Sequence, residues 1–150
     1  MTGERSAADK DKAAPDGFGP VEAESPYSSL IGPVYENAAA MSRGFRVEAK
    51  HINNAGIAHG GMLMSIADMT LARGVRDANG GPGVTVRMVS DFHGPARLGD
   101  WVEGHAKVTR MTRTMVFVSA EIVASGRLIM TATGIFRRLR PRASRTVPVD

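Results

Sequence analysis

Asp68 is the only ionisable residue between Gly61 and Arg73. It interrupts the run Met62-Leu63-Met64-Ser65-Ile66-Ala67-Asp68-Met69-Thr70-Leu71-Ala72, whose other members are mostly apolar. Burying a carboxylate without partners is costly, so Asp68 either has chemical work to do or is not buried. The second alternative is concrete: at helical spacing Ser65, Asp68 and Ala72 form one stripe that could face water. Just upstream, Gly60-Gly61 stand where a helix would begin. There the first backbone N–H groups lack intrahelical partners and the helix dipole favours negative charge. A carboxylate near such donors is equipment for attack on a carbonyl, with the N–H groups receiving the oxyanion. A tight turn into a helix would explain the glycine pair equally well.

The rest of the chain removes several chemistries. It has no cysteine, which excludes a thiolate nucleophile, disulfide staples and any cysteine-based zinc or iron–sulfur site. The other histidines, His51, His93 and His105, show no ligand-like spacing with His59, so neither a metal nor an organic prosthetic group is expected.

With 150 residues, 43% of them hydrophobic, there is material for one domain with a real core around these residues. Residues 62–75 read as one long helix, begun at Gly60-Gly61 and shut off by Ala78-Asn79-Gly80-Gly81-Pro82-Gly83. Ser25-Pro26 opens a short earlier helix that ends near Gly32-Pro33. Residues 44–50 alternate apolar and polar as a half-buried strand should. Four further strands are expected at 84–92, 100–110, 114–123 and 128–138, the last three joined by hairpin-length connections. In the second of these, Val102, Gly104, Ala106 and Val108 face one way and Trp101, Glu103, His105 and Lys107 the other. The expected architecture is α+β, an antiparallel sheet wrapped around one long central helix, because that helix has few polar positions to offer water.

Net charge is +4, unevenly spread: residues 1–25 carry about −3 and the remainder about +7. The first segment reads as a flexible leader, residues 26–140 as the domain and 141–150 as a basic tail. A basic body suits an anionic ligand. Nucleic acid is disfavoured, because Arg137, Arg138, Arg140, Arg142 and Arg145 cluster with no aromatic residues interleaved to stack on bases. With no signal-like stretch and no span-length apolar run, a cytoplasmic protein free of membranes is expected.

Taken together, Asn53 in Asn53-Asn54-Ala55-Gly56-Ile57-Ala58, His59-Gly60-Gly61 and Asp68 beyond closely resemble the phenylacetate-pathway type of hotdog acyl-CoA thioesterases, in the 4-hydroxybenzoyl-CoA thioesterase superfamily. The resemblance continues through Gly83-Val84-Thr85-Val86, Gly94-Pro95-Ala96-Arg97-Leu98-Gly99-Asp100 and Thr112-Arg113-Thr114-Met115-Val116-Phe117. It implies hydrolysis of an acyl-CoA thioester to free acid and coenzyme A. Asp68 would be general base or nucleophile and the Gly60 N–H the oxyanion donor. Asn53 would orient water or the carbonyl, Thr85 would help hold the water, and His59 would support the turn. Gly61, Arg113 and Arg110 are the substrate-binding candidates, the arginines for coenzyme A phosphates, although exposed hairpin arginines are more often merely solvated. The resemblance also implies a homodimer with shared active sites, and two dimers pairing into a homotetramer.

The sequence departs from the family at Thr112, where a glycine is frequent, and at Thr85, bulkier than serine. Adjacent Asn53 and Asn54 leave open which amide points inward. Met62, Met64 and Met69 suggest an adaptable apolar acyl lining, with core filling as the alternative. A non-catalytic acyl-CoA-binding hotdog protein and a hotdog dehydratase or hydratase are the competing functions. The second would need a histidine-centred motif around the long helix.

Overall fold

The computed structural model describes residues 14–21 and 25–139; the expected basic tail and most of the expected leader lie outside them. In chain order the elements are β1 (Gly19–Pro20), α1 (Pro26–Ile31), β2 (Tyr35–Asn37), β3 (Ser42–Arg46), a 3-10 turn (Ala49–His51) and α2 (Gly60–Asn79). Four long strands follow: β4 (Gly83–Phe92), β5 (Trp101–Met111), β6 (Met115–Ala124) and β7 (Arg127–Arg138).

The apolar spacing of the long helix decides its placement. Met62, Leu63, Ile66, Ala67, Thr70, Leu71 and Val75 are buried, the three-and-four repeat of a single face. His59 caps the start, and Gly80 closes the end in the left-handed conformation at φ 68°, where glycine carries no Cβ penalty. Small residues let sheet and helix approach closely: a Cβ on Gly74 would stand 2.8 Å from the Ala106 side chain. Such a contact is too close for any side chain without a shift of one element.

The seven strands form one sheet in the order β1-β2-β3-β5-β6-β7-β4, antiparallel at every pairing. Helix α2 touches β3, β4, β5, β6 and β7, so the sheet curves round it. Val102, Val116, Val118, Ala120, Ile122 and Phe136 meet the helix in one core. This is the hotdog arrangement that the apolar helix required, and the four long strands fall within a residue of their expected limits.

Three features differ from the expectation. The strand begun at residue 44 does not run to Lys50; β3 stops at Arg46 and the chain turns at Ala49–His51. Buried His51 causes the turn: its Nδ1 accepts from the Glu48 N–H at 2.9 Å, while Nε2 bonds the Ile31 carbonyl at 2.6 Å. The described stretch 14–21 of the expected leader also carries structure. Within it Gly19–Pro20 pairs with β2 and Phe18 meets Trp101 edge-on at 5.0 Å, aromatic burial that offsets the ordering of this stretch. Strands β1 and β2 themselves were not expected.

An ionic latch ties this end of the sheet to the helix. Glu36 of β2 accepts from Arg73 of α2 and lies 3.9 Å from Arg43 of β3, and Arg73 also pairs with Asp77 at 2.9 Å. Burial pulls the Arg43 guanidinium below its usual range, and Glu36 opposes that pull.

Candidate active site

Ser65, Asp68 and Ala72 lie on one stripe of α2, and each is half-buried. Asp68 therefore sits on the helix face the sheet leaves open, neither sunk in the core nor fully in water. Across from it, the Thr85 hydroxyl donates to Asp68 Oδ1 at 2.8 Å. Local backbone geometry sets up that contact: β4 pairs Thr85 with Phe136 but Arg87 with Ile135, so Val86 is an extra residue in a bulge. Bulges re-aim neighbouring side chains, and this one lies beside the carboxylate. With Oδ1 held, Oδ2 has no hydrogen-bond partner among the described residues. It is the oxygen left to take a proton or attack a carbonyl.

A second set of groups gathers in the turn before α2. Asn53 is half-buried and Asn54 exposed, and the Asn53 Oδ1 accepts from the backbone N–H groups of Ala55 at 2.9 Å and Ile57 at 3.3 Å. Its carbonyl oxygen is spent on the loop, which leaves the amide Nδ2 as the donor it can offer. The turn is further fixed by Ala58 N–H to the Ala96 carbonyl and His59 N–H to the His51 carbonyl, at 2.8 and 2.7 Å.

His59 decides which backbone donors stay free. Its Nδ1 accepts from the Gly61 N–H at 2.9 Å, and its carbonyl accepts from Met62 and Leu63. A ring nitrogen that accepts carries no proton, so the neutral imidazole holds its hydrogen on Nε2. The Gly61 donor is thus already used within the turn. The Gly60 N–H has no acceptor among the described residues. The Phe92 ring lies against Gly60, close enough that a Cβ there would be 3.6 Å from it.

These two groups do not meet within one chain. Gly60 and Asp68 are eight residues apart on one helix, about 12 Å along its axis. The structure brings Asp68 to Thr85 and His59 to Gly61, and it places Asn53 in the turn that leads into Gly60. A cleft of about 720 Å³ opens one residue along β4 from Thr85, lined by Asn79, Val84, Arg113, Thr114, Arg137, Arg138 and Leu139. Arg138 is engaged in shaping it, donating to Asn79 Oδ1 at 2.6 Å and to the Thr112 carbonyl at 2.8 Å. Arg113 and Arg137 have no ion-pair partner among the described residues. Arg110 is exposed on β5 and does not line the cleft. Arg137 and Phe92 were visible in sequence only as part of an arginine cluster and a strand end; their pairing partners give them their places.

A curved antiparallel sheet around one long helix is the hotdog fold. The model of the thioesterase superfamily matches residues 55–130, and the chain belongs to that superfamily. It is a thioester hydrolase. A Pseudomonas aeruginosa protein named as an esterase is 37% identical over 127 residues, 81% of this chain and 95% of that protein. Acyl-coenzyme A thioesterase 13 of Homo sapiens is 34% identical over 88 residues, 56% of this chain and 62% of that protein. Among solved structures, a mutant of the phenylacetic acid degradation protein PaaI from Thermus thermophilus superposes with a TM-score of 0.69 at 28% identity, covering 77% of this chain and all of that one.

Proposed function

We propose that the protein hydrolyses acyl-CoA thioesters, with Asp68 as the group that drives attack and the Gly60 N–H as the oxyanion donor. The observation that carries this reading is the Asp68 carboxylate, held by Thr85 on the open face of α2 with one oxygen free. That oxygen either takes a proton from water as the water adds to the thioester carbonyl, or adds to the carbonyl itself. Negative charge then builds on the former carbonyl oxygen, where a fixed backbone N–H is worth most. The Asn53 Nδ2 supplies a second donor, and His59 keeps the turn in shape. In the first route collapse of the adduct expels the coenzyme A thiolate, which takes up the proton held by Asp68; in the second it leaves a mixed anhydride on Asp68, which water hydrolyses to the free acid and the restored carboxylate while the thiolate takes the released proton. Arg113 and Arg137 at the cleft supply cations for the phosphates of coenzyme A.

Because the two groups stand about 12 Å apart along one helix, a working site needs two chains. Strand β4 is the edge of the sheet and exposes Val84, Val86, Val89 and Phe92. Its Thr85 end is beside Asp68 and its Phe92 end beside Gly60. Antiparallel pairing of two β4 strands across a twofold axis sets the Phe92 end of one against the Thr85 end of the other. Asp68 of each chain then faces the Gly60 turn of its partner, giving a homodimer with two shared sites.

Thiol release from phenylacetyl-, benzoyl- and medium-chain acyl-CoA tests the reading. Wild type should turn over at least one of them, and Asp68→Asn should lose about a hundredfold or more. Binding of acyl-CoA without turnover by the wild-type protein would leave a binding module in place of an enzyme.

A further inference from the structure

Helix α1 carries a tyrosine that neither its own folding nor the reaction above employs. The Tyr27 hydroxyl lies 2.6 Å from Ser65 Oγ, and Ser65 Oγ donates to the Gly61 carbonyl at 2.9 Å. A serine hydroxyl has one proton, so Tyr27 is the donor of the first bond. The tyrosine ring is thereby fixed against the residue one turn before Asp68 on the same stripe. Residues at that spacing stand about 5–6 Å apart at Cβ, so the Tyr27 hydroxyl is anchored one helical turn from the residue that carries the carboxylate.

Despite that anchor, the residue is 52% exposed, and Leu30, one turn further along α1, is 74% exposed. Met64, next to Ser65, is exposed as well. Other contacts hold the helix: Ser25 and Ser28 form a reciprocal cap, Ile31 packs on the core and His51 bonds the Ile31 carbonyl. Tyr27, Leu30 and Met64 are therefore exposed and take no part in the hydrophobic core. Their position along α2 gives them a direction. The arginine cleft lies at the Asn79 end of the helix, Asp68 is near its middle, and Ser65 is on the far side of Asp68 from the cleft. A thioester entering from the cleft with its carbonyl at Asp68 sends its acyl group toward Tyr27.

We propose that Tyr27 selects the acyl group, its ring forming the wall on which a flat or extended apolar acyl chain packs, so that such chains are preferred to acetyl. This rests on the thioesterase reading above. Tyr27 holds no reacting atom; it is a specificity-determining residue. The test compares kcat/KM for phenylacetyl-, octanoyl- and acetyl-CoA in wild type, Tyr27→Ala and Tyr27→Phe. Tyr27→Ala should lower the ratio of either bulky substrate to acetyl-CoA about tenfold or more, the range in which apolar pockets discriminate. Tyr27→Phe keeps the ring and should retain most of the ratio. A ratio unchanged in Tyr27→Ala, with all three substrates falling together or none falling, overturns the proposal. If wild type hydrolyses no substrate, the thioesterase reading fails separately. Calorimetry with non-hydrolysable thioether analogues of phenylacetyl- and acetyl-CoA then decides about the wall, by whether Tyr27→Ala lowers their affinity ratio.

Discussion

The sheet ends in two unlike edges. At one, β1 is two residues long and pairs with a three-residue β2. Phe18 and Tyr35 close on Trp101, Arg46 lies over the same ring, and Glu36 latches β2 to α2. That edge is short, twisted into aromatic packing and tied down by charge, as edges are when they must not pair with anything. At the other, β4 runs for ten residues with Val84, Val86, Val89 and Phe92 exposed. Long apolar edges invite another strand. Asp68 and Gly60, which cannot reach each other within one chain, stand along this open edge. On the reading proposed above, one edge serves stability while the other serves assembly, and catalysis depends on that assembly.

The strongest way to break this contrast is charge on the open edge. Val86→Asp combined with Val89→Lys should yield a monomer by sedimentation and reduce thiol release to background, since half of each site leaves with the partner. A lysine at Gly19 on the closed edge should change neither, because nothing lies within 4 Å of a Cβ there. A monomer that keeps full activity would end the shared-site account.

A subtler change removes one atom's worth of chemistry. Gly60 is the first residue of α2, where proline is tolerated because its missing N–H had no helical partner. His59 already has φ −61° and ψ 134°, the conformation a following proline demands. Gly60→Pro should therefore leave helix content and dimer intact while kcat falls about a hundredfold or more. Wild-type turnover in that variant would remove Gly60 from the mechanism.

The smallest effect belongs to the closed edge. Glu36→Gln leaves Arg43 without its counter-charge and should cost about 2 kcal/mol of stability, a fall in Tm of roughly 5 °C, with kcat unchanged. Thermal melting and thiol release on the same sample read both quantities.

The contrast between the edges also explains what the sequence disclosed. Apolar patterning located α2 and the four long strands; α2, β5, β6 and β7 each bury a face, whereas β4 was legible as an apolar run between turn residues although it buries none of its residues. Asp68 stood out because a lone charge in an apolar helix needs a reason. Strands β1 and β2 left no such mark: two or three residues carry no period, and Trp101, far along the chain, makes them strands. The turn at Ala49–His51 was hidden by alternation that runs into it as far as Lys50, while the His51 ring spends its nitrogens on Glu48 and Ile31. In the site, the bonds of Asn53 Oδ1 to the Ala55 and Ile57 N–H groups and the use of the Gly61 N–H by the His59 side chain left no mark in the sequence. Tyr27 had only one faint signal, an aromatic in the first turn of a short helix.

If each site is built from two chains, inactive variants should complement each other on subunit mixing. Asp68→Asn and Gly60→Pro proteins, each nearly inactive alone, are dissociated, mixed and reassembled. In a mixed dimer both lesions fall in one site, and the other site receives a native Asp68 from one chain and a native Gly60 turn from its partner. Thiol release should return to roughly a quarter of wild type at equal mixing, since half of the dimers are mixed and each carries one intact site. Activity that stays at the level of the separate variants, with mixed dimers demonstrated by mass, would contradict a site built from two chains.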